Sequence, residues 1–349
     1  MLKDKLNHIG ANLLPAIAYG DSLGLPVETL RPEDIVRRYG RIECLMAINN
    51  PYLGRAAAGS WSDDTRLSLA VSEAITDSCG LDMDSVVSRH IAAMSEEVYI
   101  QHGNERIPRG WGKSTYQSVE RLITDPLGWK SSGSETGQGN GVLMKLAPLA
   151  IWQTAFPSVN GDSKYNDSFL NDFVRMTHNN DLSVVTALTH REVLKGLLLE
   201  TLDIRNLLEF AADSARKYEL VYSQAGRITS SLLSSLASEK RVTPREIHKH
   251  AKGGGFHSPE TLVMAYGSYV ASRLSSSTFT ETVADAVNLG GDADSIGSIV
   301  GAMTVIDRGF IDLPDDMRFI ASLDNLVDAG KRLVNAMRTR AFITTGGSA

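Results

Sequence analysis

The sequence predicts an all-α fold, a single compact multi-helix domain, and three observations carry that expectation. Apolar residues recur at helical spacing over several long segments. Two further segments are rich in small residues and apolar nearly all round, the pattern of buried central helices. Period-2 alternation sustained over the length of a strand is scarce.

Taken in chain order, residues 64–77 (DTRLSLAVSEAITD) place Leu67, Val71, Ala74 and Ile75 on one face. Residues 182–201 do the same with Val185, Leu188, Val193, Leu197 and Leu198. The apolar pair is 261–274 (TLVMAYGSYVASRL) and 296–307 (IGSIVGAMTVID). Long loops lie between them at 47–64, 101–114, 130–141, 156–168 and 252–259, and there Gly and polar residues cluster. Loops of such length inside a compact domain are usually functional or disordered, although 156–168 reads as a plain surface connection. No internal repeat, low-complexity tract or linker divides the 349 residues. One domain over 1–343 is expected, with a frayed tail at 344–349.

A hydrophobic content of 42% and a charged content of 22% belong to a soluble globular protein with a substantial core. The formal net charge is −6 and no run of Lys and Arg occurs, so a basic nucleic-acid footprint is not supported. Cys44 and Cys79 are too few for a disulfide framework, which points to a reducing compartment. Residues 1–15 lack the apolar run of a signal peptide, and no stretch approaches the roughly 20 apolar residues of a membrane span. A cytoplasmic protein without a membrane partner is expected.

Two acidic clusters stand out. Ser62-Asp63-Asp64-Thr65 precedes an amphipathic helix, and helix capping accounts for an acidic start. Capping does not account for two adjacent carboxylates flanked by hydroxyls. Gly290-Gly291-Asp292-Ala293-Asp294-Ser295 repeats the form, with an Asp-rich turn and Ser295 as N-cap as the plain alternative. Carboxylates near a core are normally paired or bound to metal, and the only Lys or Arg beside either cluster is Arg66. All-oxygen ligand sets select hard cations such as Mg²⁺ or Mn²⁺. Two such clusters face to face suit two ions roughly 3.5–4 Å apart, as in binuclear hydrolases.

These blocks, with others in the same order, resemble the ADP-ribosylglycohydrolases. That group includes the dinitrogenase reductase-activating glycohydrolase, ADP-ribosylarginine hydrolases and bacterial immunity proteins. The ordered set is Gly20 to Glu28, Ser62 to Thr65, Arg109-Gly110-Trp111-Gly112 with Thr115, Gly139-Asn140-Gly141 with Met144 and Pro148, Thr177-His178, and Asn288 to Ser295 with Gly301-Ala302. The resemblance implies an all-α fold with two Mg²⁺ or Mn²⁺ ions at the bottom of a cleft. By match, Ser62, Asp63 and Asp64 hold one side of the pair, and Asp292, Asp294 and Ser295 the other. The family more often has Thr at the positions of Ser62 and Ser295, and both replacements keep the ligating hydroxyl.

The remaining blocks take their roles from the same likeness. Glu28, read alone, is a solvated residue after Pro; the match makes it a mobile group near the metals, a water-activating base or a gate. Asp21 is expected to fix its loop. Gly137-Gln138-Gly139-Asn140-Gly141 can present backbone N–H groups to an anion, and the resemblance makes Gly137, Gly139, Asn140 and Gly141 a site for the diphosphate and distal ribose. His178 matches a residue of the ADP-ribose pocket, whereas His190 is expected to be structural. Gly255, Phe256 and Tyr266 match the segment bordering adenosine, with Phe256 or Tyr266 as an aromatic face; core packing is the alternative for Tyr266. Trp61 and Trp111 stand beside matched blocks as candidates for the cleft mouth. The pattern departs at Lys145, where the family usually has Arg, and Lys cannot make the bidentate contact of Arg.

The expected activity is therefore release of ADP-ribose from a modified macromolecule, with Glu28, Asp63 and Asp64 as catalytic candidates and an ADP-ribosylated protein as partner. Cleavage of the N-glycosidic bond of ADP-ribosylarginine is the preferred reading. Hydrolysis of O-linked ADP-ribose on Ser, or of other conjugates including modified nucleic acid, is the alternative within the class. A non-catalytic ADP-ribose-binding relative is the alternative outside it. Immunity to an ADP-ribosylating toxin is a further expectation of the resemblance.

Overall fold

The computed structural model describes residues 2–50, 53–102, 105–157 and 164–344. Fifteen α-helices carry the fold among these residues. The first five are α1 (Leu2–Gly24), α2 (Pro32–Tyr39), α3 (Asp63–Ser78), α4 (Met83–Ser95) and α5 (Lys113–Thr124). There follow α6 (Ala147–Ala155), α7 (Tyr165–Arg175), α8 (Asp181–Leu198), α9 (Leu207–Val221) and α10 (Ile228–Ala237). The last five are α11 (Pro244–His250), α12 (Ser258–Leu274), α13 (Phe279–Val287), α14 (Ala293–Arg308) and α15 (Leu323–Thr344).

The four segments read as helices are α3, α8, α12 and α14, each within a few residues of its expected ends. α14 is buried continuously from Ala293 to Ile306, which explains its apolar circumference. It packs on α1, α8, α12 and α13, while α3 and α15 flank α1. Among the described residues α1 and α14 make the most extensive helix–helix contact, and small residues let their backbones touch. A Cβ built on Gly24 would stand 2.4 Å from the carbonyl carbon of Ala293, and one on Gly301 would stand 2.4 Å from the Ala16 carbonyl oxygen. Any side chain at these positions would force the helices apart.

Local signals set the ends. Ser62 caps α3 by accepting from the Asp64 N–H, and the helix stops at Cys79 in the left-handed region. α13 opens on a capping box between Thr278 and Glu281. α14 ends at Gly309, φ +71°.

Two loops read as irregular hold short hairpins instead. β1 (Ile48–Asn50) pairs antiparallel with β2 (Gly54–Ala56), and β3 (Tyr99–His102) with β4 (Glu105–Pro108), Ile100 facing Ile107. Strands of three or four residues are too short to leave an alternation in the sequence. The expected connection at 156–168 falls partly, and the tail 344–349 almost wholly, outside the described residues. Cys44 is exposed and Cys79 half-buried, and both are free thiols. Among the described residues no helix is long and apolar enough to cross a membrane.

Candidate metal centre and substrate cleft

The N-termini of α3 and α14 converge on one cavity of about 190 Å³ at the C-terminal end of α1. Asp21, on the last turns of α1, fixes the first of them. Its carboxylate accepts from the Ser62 N–H (2.9 Å), the Thr65 N–H (3.1 Å) and the Thr65 hydroxyl (2.6 Å). Asp21 therefore holds the start of α3 and not a loop of its own, since residues 20–24 form the last turn of α1, and it does not line the cavity. Burial and the charge of Asp294 push it up to about 7, against the hydrogen bonds that favour its charged form.

The second cluster depends on two turns locked together. Gly290 and Gly291 have φ of +68° and +70°, and a Cβ on Gly291 would stand 2.0 Å from the Gly254 carbonyl oxygen. That oxygen accepts from the Asp292 N–H at 2.8 Å. Gly291 also exchanges backbone hydrogen bonds with Thr29 (2.7 Å) and Leu30 (2.8 Å). Glu28 is thereby held against the cluster, so that Glu28, Asp292 and Asp294 each offer an oxygen within 4.8 Å of the others. Thr29 takes φ +69°, a costly conformation for a β-branched residue.

The two clusters meet through Asp64. Its Oδ2 accepts from the hydroxyls of both Ser62 and Ser295, each at 3.3 Å, although Ser295 lies 231 residues further along the chain. Asn140 Nδ2 donates to Asp292 Oδ2 at 2.8 Å and orients it. Glu28, Asp63, Asp64, Asp292, Asp294 and Ser295 all line the cavity. Burial and mutual repulsion raise Glu28, Asp63, Asp64 and Asp294 well above the usual carboxylate range. Asp292 is pushed up to about 6, the bonds from its neighbours offsetting part of the burial.

The oxygens fit a divalent cation. Glu28 Oε2 and Asp64 Oδ1 are buried with no hydrogen-bond partner among the described residues, and such orphans are expensive unless something positive meets them. The donor set is carboxylate and hydroxyl oxygen throughout, the chemistry of hard cations. The acidic cluster could hold such an ion.

The other expected residues divide. Gly139, Asn140, Gly141, His178 and Phe256 line the same cavity. Gly255 stands behind it, with φ +87° and its carbonyl accepting from Asn140 and from the Thr261 hydroxyl. Gly137 does not offer its N–H to an anion, because that group donates to Ser134 Oγ at 3.0 Å. Tyr266 requires correction as an adenine platform: it is fully buried on α12, its hydroxyl 3.0 Å from Nδ1 of His190. Helical spacing on an apolar helix is the signal for that burial. His190 is structural, as expected. Trp61 and Trp111 do not line the cavity; their indole N–H groups donate to Ala321 O (2.8 Å) and Glu97 (3.4 Å). Lys145 is fully buried with its amine unpartnered and 5.5 Å from the Phe173 ring centroid. Sequence reasoning missed Lys113 and Ser114, which join Gly112 and Thr115 on the rim; nothing in their spacing marks them, and only the approach of α5 brings them there.

Comparison with known proteins agrees with this architecture. The ADP-ribosylglycohydrolase family profile matches residues 11–341. An uncharacterized protein of Archaeoglobus fulgidus is 26% identical over 294 residues, 84% of this chain and 85% of the relative. The ADP-ribosyl-[dinitrogen reductase] glycohydrolase of Rhodospirillum rubrum is 23% identical over 323 residues, covering 90% of this chain and 92% of that one. The ADP-ribosylarginine hydrolase Tri1 of Pseudomonas putida is 26% identical over 143 residues, 40% of this chain and 35% of its own. A solved chain from an ADP-ribosylglycohydrolase-related protein complex superposes with a TM-score of 0.67 at 21% identity, covering 97% of this chain and all of that one, and so shares the fold. With a profile spanning nearly its whole length and the acidic cleft in place, the chain belongs to the ADP-ribosylglycohydrolase family of hydrolases.

Proposed function

We propose that the protein releases ADP-ribose from a modified protein by hydrolysing the N-glycosidic bond to an arginine side chain. The observation that carries the reading is the convergence of Glu28, Asp63, Asp64, Asp292, Asp294 and Ser295 on one cavity. The arginine linkage is supported by the activity for which the Pseudomonas putida relative is named, a relative that covers part of this chain.

Ser62, Asp63 and Asp64 on one wall, and Asp292, Asp294 and Ser295 on the other, would hold two Mg²⁺ or Mn²⁺ ions. When bound, such ions supply Lewis acidity towards the ribose hydroxyls and acidify a nearby water. The protein does the rest. Asn140 fixes the rotamer of Asp292, and Asp21 fixes the start of α3. Glu28, held over the cluster by the Thr29–Gly291 bond, accepts a proton from the attacking water. The water oxygen bonds to the anomeric carbon, the bond to the acceptor nitrogen breaks, and the proton returns to that nitrogen as it departs.

The test is turnover. Arginine-modified and serine-modified proteins are incubated with the wild type and with Asp64→Asn and Asp292→Asn in buffer containing Mg²⁺ or Mn²⁺. Release of ADP-ribose from the arginine conjugate by the wild type, and its loss by a factor of about 100 or more in either variant, is expected. Wild-type turnover in both variants would remove the metal assignment, and release from the serine conjugate alone would move the linkage to oxygen.

A further inference from the structure

Beside the acidic cavity lies a second hollow of about 770 Å³, between the start of α2 and the α11–α12 connection. The wall dividing the two is one residue thick: Glu28 lines the cavity and Thr29 the hollow, Asp292 the cavity and Gly291 the hollow, and Phe256, 40% exposed, lines both. The Thr29–Gly291 bond of 2.7 Å holds this wall together. A further hollow of about 400 Å³ continues from the first, with Pro244, Asn288 and Leu289 belonging to both. It is lined by Ile247 and Ala271, and Val36, 65% exposed, stands on its edge. The pair forms a trough that runs from the wall of the acidic cavity along the gap between α2 and α11.

The charge at the mouth of the trough is opposite to that of the cavity. Arg31, Arg245 and Lys252 line the first hollow, all exposed, and Glu33 is the one acid on its described lining. Arg245 and Lys252 form no hydrogen bond or ion pair among the described residues, while Arg31 shares Asp34 with Arg37. Two free cations thus stand beside a pit of carboxylates, in a chain whose formal charge is −6. Between them the surface is apolar, from Leu30, Pro32, Pro244 and Leu289. A phosphate backbone needs cations in series and gains nothing from such a floor, whereas a polypeptide can lay acidic and apolar side chains on the two kinds of surface. A second copy of the chain docked here by two-fold symmetry would set these cations against their own counterparts.

We propose that the trough between α2 and α11 binds the acceptor protein through an acidic segment next to the ADP-ribosylated residue, with Arg245 and Lys252 as the side chains that select it. The inference rests on the hydrolase reading. In that reading Glu28 returns the proton to the departing nitrogen, so the acceptor chain leaves the cavity on the side of Glu28. The residues that follow Glu28, Thr29 to Glu33, are the wall of the trough. Charges on such a rim choose between partners more than they add affinity, and salt screens them.

Three fluorescently labelled peptides test this, each with one arginine flanked by glutamates, by glutamines or by lysines. Unmodified, they are titrated with the full chain and followed by anisotropy at low and high salt; ADP-ribosylated on the arginine, they are substrates in turnover with Mg²⁺. The glutamate peptide should bind about tenfold more tightly than the glutamine peptide, with the lysine peptide weakest, and the differences should shrink at high salt. R245E/K252E should reverse the order and raise KM for the glutamate conjugate about tenfold, leaving kcat within about twofold. Free ADP-ribose, titrated calorimetrically, should bind variant and wild type alike. A wild type that does not distinguish the peptides, or a double variant that keeps the wild-type order at an unchanged unfolding midpoint, overturns the proposal. An equal loss of ADP-ribose affinity also overturns it, because the trough would then belong to the nucleotide site. So does tighter binding of a single-stranded oligonucleotide than of the glutamate peptide. Should R245E/K252E not fold, R245A/K252A decides by loss of the preference. The anisotropy arm needs no turnover, so a failed hydrolase reading, seen as no release of ADP-ribose from any conjugate, is distinguishable from a failed docking site.

Discussion

Gly20 and Gly297 meet backbone to backbone: a Cβ on Gly20 would stand 2.1 Å from the Gly297 carbonyl oxygen, and one on Gly297 would stand 2.5 Å from that of Gly20. The contact sets how closely α1 approaches α14, and with it the separation of Asp21, which anchors α3, from Asp294. Gly297→Ala should therefore do two things. It should destabilise the fold by about 1–3 kcal/mol through overpacking, and it should weaken Mn²⁺ binding because the proposed ligands on α14 move relative to those on α3. Denaturant unfolding and a Mn²⁺ titration read the two effects. A variant with wild-type stability would show slack between the helices that the backbone contact does not allow.

The carboxylates around the cavity compete for cations with protons. Burial raises Asp292 to about 6 and Asp21 to about 7 from the ordinary 3.8, and raises Glu28, Asp63, Asp64 and Asp294 well above their usual values. A raised carboxylate binds more protons folded than unfolded. Its contribution to metal-free stability is thus greatest at low pH and is lost as pH rises from about 4 through 6 and 7. A bound cation replaces those protons. The increase in unfolding midpoint on adding Mg²⁺ or Mn²⁺ should accordingly be large near pH 8 and shrink towards pH 5. Buried, neutral His90, His178 and His190 lose stability in the opposite direction, but they cancel in the difference between loaded and metal-free protein. An increment independent of pH would dissociate these carboxylates from the metal.

Much of this site is legible in the sequence because its chemistry is dense in the chain. Asp63-Asp64 and Asp292-x-Asp294 each place carboxylates at a helix start, where residue type, spacing and capping logic all point to one place. The central helices are legible because α12 and α14 are apolar nearly all round. Their starts lie three residues ahead of the apolar pattern, since the opening turns Ser258-Pro259-Glu260 and Ala293-Asp294-Ser295 blend into the polar loops before them. Tyr266 is hard to place for the same reason that α12 is easy to find: on a helix buried on every side, an aromatic residue carries no sign of which neighbour it meets. Lys113 and Ser114 leave no trace because they reach the cleft through the start of α5, which packs on α4, a relationship no local pattern encodes.

Thr29 stores strain beside Glu28, the proposed base. Its φ of +69° is unfavourable for a β-branched residue, and it is kept there by its bond to the Gly291 carbonyl and by the Leu30–Gly291 bond. Thr29→Gly removes roughly 1–2 kcal/mol of strain and returns part of it as added unfolded-state entropy. A slightly more stable protein is expected. Glu28 then loses the stiffness that holds it against Asp292 and Asp294, so kcat should fall several-fold while metal affinity changes little. Thermal unfolding and steady-state kinetics check both halves, and a variant that is less stable than wild type would mean that Thr29 makes contacts worth more than its strain.

Lys145 offers the sharpest test of how the cleft wall is built. Its amine is fully buried without a partner, and burial lowers it from 10.5 to about 7, with only the charge of Asp63 acting the other way. A lysine whose folded pKa lies below its unfolded value binds fewer protons folded than unfolded, so its cost to stability grows as pH falls from about 10.5 to about 7. At 1.36 kcal/mol per unit this approaches roughly 3–5 kcal/mol at neutral pH. Lys145→Met keeps the length of the stem and discards the charge. It should stabilise the protein at pH 7 by an amount on the order of a few kcal/mol, and by less than about 1 kcal/mol near pH 10, where the wild-type amine is neutral when folded and only partly protonated when unfolded. Urea unfolding at the two pH values gives the answer directly. A gain of equal size at both would mean that the penalty is one of packing against Phe173 and not of charge, and the amine would then have no electrostatic hold on the acidic wall beside it.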